Sequence, residues 1–563
     1  MTRGRRSRIA ALPWVLCLAI AVPAHAQERD AARVDAGESI YLRGVLGSGQ
    51  ALRATRDDGG TGATGAAAAC VNCHQHSGLG ATHQSSGIGA SAPSNQIPPI
   101  AGRYLFEPVR SGPSARNLPY VDGMRSNRSP YTEATLARAI REGIDADGRR
   151  LRYLMPRFEI GDGDMASLIA YLRTLDPTRA PGVTDTVLHF ATVIAPDVDP
   201  ARRRAMLDVL NAFFAERNAR QLKPSTALQA SGRTQYSRTM FMVNRQWQLH
   251  VWDLHGEPSR WGAQLAEHYA REPVLAVVSG LGGAAWRPVH EFCQRQHLAC
   301  LFPNVEVPVD APGDFYSLYF SRGVLLEADL LAERIAHGPA GSAIRSVRQL
   351  YRSGDSGEAG ARALSVRLAA LGLEVQSTVL PAQGGNVADA LAGAARADAI
   401  VLWLRAPDLA SLGDARGGPS IVFASGLLGG LEAAPIPASW RPRTHLAYPV
   451  DLPQQRVVRV DYPMGWFRAR GIPIVDEQLQ SDTQLACGLL SEALKELAGT
   501  FYGPYLVEEL QTMVEHRLMT GYYPRLTLAE NQHFASRGGY IVRFAEPTGT
   551  KLLAEGEWVV PSR

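Results

Sequence analysis

The chain has 563 residues, with 58 Lys and Arg against 54 Asp and Glu and a formal net charge of +4. That length suggests about three to four compact units, and a hydrophobic share of 45% with 20% charged residues excludes a disordered chain or a bundle of membrane spans. Lysine occurs only at Lys223, Lys495 and Lys551, and the arginines are interleaved with acidic residues. No block of like charge points to nucleic acid or an anionic membrane surface.

Residues 1–26 read as a secretory signal peptide. Arg3, Arg5, Arg6 and Arg8 form the charged start, an apolar run extends from Ile9 to about Val22, and Ala24-His25-Ala26 offers a small-x-small cleavage site. The run is shorter than the roughly 20 apolar residues of a spanning helix, and no later stretch approaches that length. Bulky Leu16 ahead of Cys17 argues against a lipid-anchored cysteine. The expectation is a periplasmic protein without a transmembrane anchor, in a compartment that permits both haem attachment to Cys-x-x-Cys-His and disulfides.

Residues 27–182 are rich in Gly, Ser and Pro with short helical stretches, and carry Cys70-Val71-Asn72-Cys73-His74. Two thiols three positions apart suit the two vinyl groups of one haem, and the adjacent His presents an imidazole to the iron. A disulfide or half a zinc site is the rival, but no second Cys pair has zinc spacing. The other axial position asks for Met or His, of which Met raises the potential. Met155 is the candidate, because Pro156 after it keeps the backbone out of a helix. Met165, Leu168, Ile169 and Leu172 recur at helical spacing behind a cap at Asp162 or Asp164, so Met165 reads as core. Met124 in a polar loop is the weaker rival, and His76 and His83 read as exposed loop histidines.

With the IREGID…GR…MPRF…D.D…L..YL pattern from Ile140 onward, residues 35–175 resemble class I c-type cytochromes. The resemblance implies a small all-α domain with one covalent haem c. It implies that Gly37 and Tyr41 on an N-terminal helix cross a C-terminal helix near Ala170 and Tyr171, where Gly allows close approach. It also implies that the carbonyl of Pro98 or Pro99 accepts the second imidazole nitrogen of the haem histidine, fixing the ring. The span from His74 to Met155 exceeds that of a minimal cytochrome, so residues 76–96 and 107–130 are expected as extra loops.

Asp176–Gly182 holds two prolines and a glycine and reads as a linker. Beyond it, apolar strands at 187–196, 247–254, 274–283 and 299–303 alternate with helices at 201–220, 260–271 and 286–297. The rhythm restarts with a helix at 323–337, a strand near 344–351, a helix at 358–371 and a strand at 373–380. Such alternation implies parallel βαβ units, here two doubly wound lobes. No short-period repeat is apparent.

The segments WQLHVWDLHGEPSRWGAQLAEHYAREPVLAVVSGLGGAAWRPVHEFC, SDTQLACGLLSEALKEL and GGYIVRF make residues 183–563 similar to type I periplasmic binding proteins of the branched-chain amino-acid and amide receptor kind. The resemblance implies lobe I at about 184–310 and 440–520, lobe II at about 311–435 and 525–563, and crossings near 305–320, 435–450 and 520–530. It implies an interlobe ligand, often a carboxylate at a helix N-terminus, where free N–H groups and the dipole favour an anion. Gly282, Gly283, Ala284 and Ala285 occupy that position without the hydroxyls many amino-acid receptors carry, and Trp286 and Asn304 are further cleft candidates. A tight strand-to-helix turn explains the glycines equally well. Asp253 reads as a loop stabiliser, Cys487 as a buried small hydrophobe, and Cys293 with Cys300 as a local disulfide.

No Ser-His-Asp order, nucleophile elbow, phosphate loop or metal cluster stands out. The leading expectation is a non-enzymatic electron carrier whose fused receptor-like body docks a redox partner, namely a dehydrogenase, cytochrome or oxidase, or binds a small molecule such as an amino acid, amide or alcohol. Two alternatives stay open. One is a solute receptor that uses the haem for sensing, and the other an accessory subunit of a quinoprotein-like dehydrogenase.

Overall fold

A helix over Ala24–Arg43 opens the described part of the chain and crosses the helix Asp162–Thr174. The contact is close because Gly37 has no side chain: a Cβ there would lie 2.0 Å from the Ser167 carbonyl oxygen and 2.8 Å from Tyr171 Cβ. Tyr41 stacks at a tilt on Tyr171, ring centroids 5.2 Å apart. The computed structural model describes residues 24–562 except 57–61, 81–96, 109–127, 153, 179, 197, 222–244, 339–343, 393–396, 414–420, 460–461, 498–499, 517–519 and 530–531. The first 23 residues of the expected signal, and most of the two expected loops, lie outside the described residues. The chain divides into one unit of Met1–Pro108 with Ser126–Leu175 and another of Val109–Arg125 with Asp176–Arg563, ahead of the boundary expected at Gly182.

The first unit is not all-α. Strands β1 (Arg53–Thr55), β2 (Ala63–Thr64) and β3 (Arg157–Glu159) form a small antiparallel sheet in the order β2-β1-β3. Ala54 pairs with Phe158, and these two side chains alone turn inward from β1 and β3, an alternation too short to read as strand. The sheet grows from a structural recurrence. After each of two helices a left-handed glycine, Gly44 (φ 63°) or Gly143 (φ 70°), ends the helix and starts a hairpin with a second left-handed glycine, Gly49 or Gly148. Gly44 N donates to Ile40 O, Leu46 N to Gln50 O and Leu52 N to Gly44 O. Gly143 N to Ala139 O, Asp145 N to Arg149 O and Leu151 N to Gly143 O repeat the set. Gly161 is the N-cap of the last helix, correcting the expected Asp162 or Asp164. Those carboxylates are engaged elsewhere, Asp164 accepting from Gly47 N at 2.8 Å and Asp162 from Arg141 at 2.7 Å.

In the second unit the first lobe is built on β4 (Val187–Ile194), β5 (Gln246–Asp253), β6 (Ala276–Val278), β7 (Leu281–Gly282), β8 (Ala299–Leu301), β9 (Asn304–Val305) and β10 (Ser317–Leu318). All pair in parallel, with β5 on one side of β4 and β6, β8 and β10 on the other. The expected strand at 274–283 is split, because Ser279 takes φ 49° and turns the chain between β6 and β7. The second lobe holds β11 (Ser346–Arg352), β12 (Glu374–Leu380), β13 (Ala399–Trp403), β14 (Ile421–Ser425), β15 (Thr444–Tyr448), β16 (Tyr540–Phe544) and β17 (Leu552–Ala554), ordered β12-β11-β13-β14-β15-β16-β17. Every residue of β13 is buried, which is why a parallel strand covered on both faces reads as an unbroken apolar run.

With β6 and β7 counted as one interrupted strand and β8 and β9 as another, each lobe winds five parallel strands in the spatial order second, first, third, fourth, fifth, a doubly wound pattern. The expected lobe boundaries move. β10 joins β8, so the first lobe runs past residue 310, and β15 joins β14, so the second runs past 435. Parallel pairing, invisible as a break in hydropathy, sets both limits.

Candidate functional site

Cys70 caps a single helical turn, Val71–His74, and His74 N donates to Cys70 O at 2.9 Å. Gln75 then leaves the helix at φ 62°, and its carbonyl accepts from Tyr41 OH at 2.7 Å. The helix crossing at Gly37 thus holds the turn in place. His74 is buried, and its Nδ1 lies 3.1 Å from Pro98 O. A carbonyl only accepts, so Nδ1 carries the proton and Nε2 keeps its lone pair. Burial pushes the imidazole down to about 4 against the opposing Pro98 bond, so it is neutral near pH 7. Burial likewise pushes the Cys70 thiol up to about 12. Cys70 and Cys73 are both free and half-buried.

Two thiols flanking one turn and a neutral, oriented imidazole whose Nε2 has no hydrogen-bond partner among the described residues fit haem c. Of the two expected prolines, Pro98 makes the contact, while Pro99 is buried beside it. Met155 lies half-buried in a turn closed by its own N–H on Arg152 O at 3.1 Å, just ahead of β3. Met165 is core, at 3% exposure. Met124 and His83 lie outside the described residues.

In a doubly wound sheet, ligands bind beyond the carboxyl ends of the strands at the point where the strand order reverses. In the first lobe that point lies between β4 and β6. Ser279 Oγ donates to Thr483 Oγ1 at 2.9 Å, Asn304 Nδ2 donates to Ser279 Oγ at 2.9 Å, and Thr192 Oγ1 donates to Ser279 O at 3.0 Å. In the second lobe it lies between β11 and β13, where Asp355, Ser356 and Arg405 follow the strands. Arg405 grips Asp355 and Glu306 together, through bonds of 2.6–3.0 Å.

Of the expected cleft residues, Asn304 reaches this region and Trp286 does not. Trp286 is fully buried beneath the loop, and a Cβ on Gly280 or Gly282 would strike its ring at 2.5 or 2.9 Å. The glycines of this turn make room for an indole. Gly282 is buried in β7, Ala285 packs against the core, Ala284 is exposed, and Gly283 borders open space. Asp253 ion-pairs with Arg203 at 2.9 Å, and Cys487 is buried. Cys293 and Cys300, the expected disulfide pair, stand as free, fully buried thiols. Ser279, Thr483, Glu306, Asp355, Ser356 and Arg405 were not expected. The one local signal was Asp355-Ser356, a helix-capping pair directly after a strand.

Among the described residues no helix is long and apolar enough to cross a membrane. A fatty acid ABC transporter substrate-binding protein from Thermomonospora curvata resembles the chain at 15% identity, covering 68% of this chain and 94% of its own, with a TM-score of 0.48. A branched-chain amino acid ABC transporter from Thermus thermophilus with bound valine gives 15%, 67%, 97% and 0.49. A leucine-binding protein from Thermotoga maritima gives 14%, 66%, 99% and 0.47. No curated protein matches the chain. Residues 61–176 match the model of the Cytochrome c family, and over this span the chain is similar to that family.

Proposed function

We propose that the protein is a periplasmic electron carrier with one covalently bound haem c, joined to a solute-receptor-like body. The carrying observation is the buried His74, whose Nδ1 is committed to Pro98 O so that Nε2 is left for iron. Cys70 and Cys73 would hold the haem covalently, and His74 and Met155 would be the side chains that ligate its iron. The haem supplies a one-electron couple. The chain's own part is to fix the imidazole ring through Pro98, to offer a thioether that favours the reduced state, and to keep water from the histidine by burial. With His74 and Met155 both as iron ligands, the group would serve electron transfer. Electrons arrive from and leave to a redox partner protein. The two lobes bind a small solute between them.

The test is the Cys70→Ala/Cys73→Ala double variant. Haem in the parent protein is expected to survive denaturation and acid-acetone extraction, and in the variant to be extracted completely. Extractable haem in the parent, or covalent haem in the variant, contradicts the reading.

A further inference from the structure

The carboxylate of Glu306 is held in the way a receptor holds a ligand. Glu306 follows β9 of the first lobe, and its backbone oxygen accepts from Val324 N at 3.0 Å, at the start of the second lobe's first helix. Its side chain meets groups of the second lobe. Arg405 Nη1 donates to Oε1 at 3.0 Å and Nη2 to Oε2 at 2.7 Å, a two-pronged grip, and Ser356 Oγ donates to Oε2. The guanidinium is aimed by Asp355, which takes Nε at 3.0 Å and also caps the helix Ser356–Ala370 through Ser356 N at 2.8 Å. Burial opposes ionisation of Glu306, but Arg405 and Ser356 outweigh it and hold the carboxyl below its usual range.

We propose that Arg405 and Ser356 form a carboxylate-binding subsite at the second lobe's switch point, and that Glu306 occupies it as a built-in stand-in for the carboxylate of a solute. The inference rests on the receptor-like reading of the second unit and names its ligand class, a small organic carboxylate. Asp355 engages Nε and Nη2, so when Glu306 leaves, the Nη1 edge and the Ser356 hydroxyl fall vacant while Arg405 stays aimed. A tethered carboxylate competes at an effective concentration in about the millimolar range. A solute must therefore win by added contacts, for which Ser279, Asn304 and Thr483 stand on the first lobe.

The probe is acetate, titrated by calorimetry into the full-length holoprotein, with chloride at matched ionic strength and acetamide as controls. Glu306→Ala is expected to bind acetate at least about ten-fold more tightly than the parent, a difference of about 1.4 kcal/mol, and not to bind acetamide. Glu306→Ala/Arg405→Ala is expected to lose the gain. Glu306→Gln keeps the volume and loses the charge, so it carries the test if the alanine variant misfolds, and is expected to shift affinity in the same direction. Equal acetate affinity in parent and variants, or equal binding of acetamide, overturns the proposal. A solute that binds the parent, combined with no acetate gain in either variant, overturns the stand-in and leaves the receptor reading intact. An acetate gain with no solute bound by the parent upholds the stand-in and counts against that reading.

Discussion

The two units treat their polar groups in opposite ways. At the Cys70–His74 turn, among the described residues, Cys70 and Cys73 are free thiols and Nδ1 of His74 is committed to a backbone carbonyl. At the second lobe's switch point every charge is met by another, with Arg405 shared between Asp355 and Glu306. Burying a polar group without a partner costs free energy. A site whose oriented lone pair is left open is completed by the group it is built for. A site whose charges already satisfy one another exchanges one internal partner for a ligand, so its occupancy is set by competition.

The sharpest way to break this contrast is to disturb the scaffold that holds the open site. Gly37→Ala places a Cβ 2.0 Å from the Ser167 carbonyl oxygen, and backbone on both sides leaves little room to yield. The variant is expected to destabilise the haem unit by about 3 kcal/mol, read as an earlier denaturation midpoint at the haem absorbance. An unchanged midpoint means that the helix crossing does not support the turn.

A further effect sharpens the other side of the comparison, because two buried carboxyls of the second unit, Glu327 and Asp482, accept from neutral groups. Asp482 is pushed up to about 8, chiefly by burial, and its Oδ2 accepts from Tyr523 OH at 3.1 Å. The folded state keeps this proton between about pH 4 and 8, where the unfolded chain has lost it. This group's contribution is therefore full below about pH 4 and lost as pH rises to about 8. Asp482→Asn is expected to match the parent near pH 4 and to exceed it by a margin that widens steadily, to several kcal/mol, as pH rises to 8. Parallel pH profiles for parent and variant contradict that assignment.

Much of this was legible in the chain wherever the physics is local. The haem turn puts two thiols and an imidazole within five residues, so one motif carries the geometry. Apart from the split at Ser279 and the short β9 and β10, the strands and helices from Val187 to Leu380 fall close to their expected limits, because parallel strands and amphipathic helices differ in apolar period. Illegible features depend on distant pairing. Glu306, Asp355 and Arg405 are dispersed along the chain, and each alone resembles an ordinary turn residue. Trp286 was misplaced because its seat is made by missing side chains at Gly280 and Gly282. The recurrence of the glycine-ended hairpins is written in hydrogen bonds, while the residues that match are little more than Gly44 with Gly143, Gly49 with Gly148 and Leu52 with Leu151.

The central claim, that His74 and Met155 would both ligate the haem iron, is tested most directly by the absorption spectrum of the oxidised protein. The parent is expected to show the Met–iron charge-transfer band, and Met155→Ala to lose it while keeping haem covalently attached. A band that persists in Met155→Ala, or that is absent from the parent, contradicts the account.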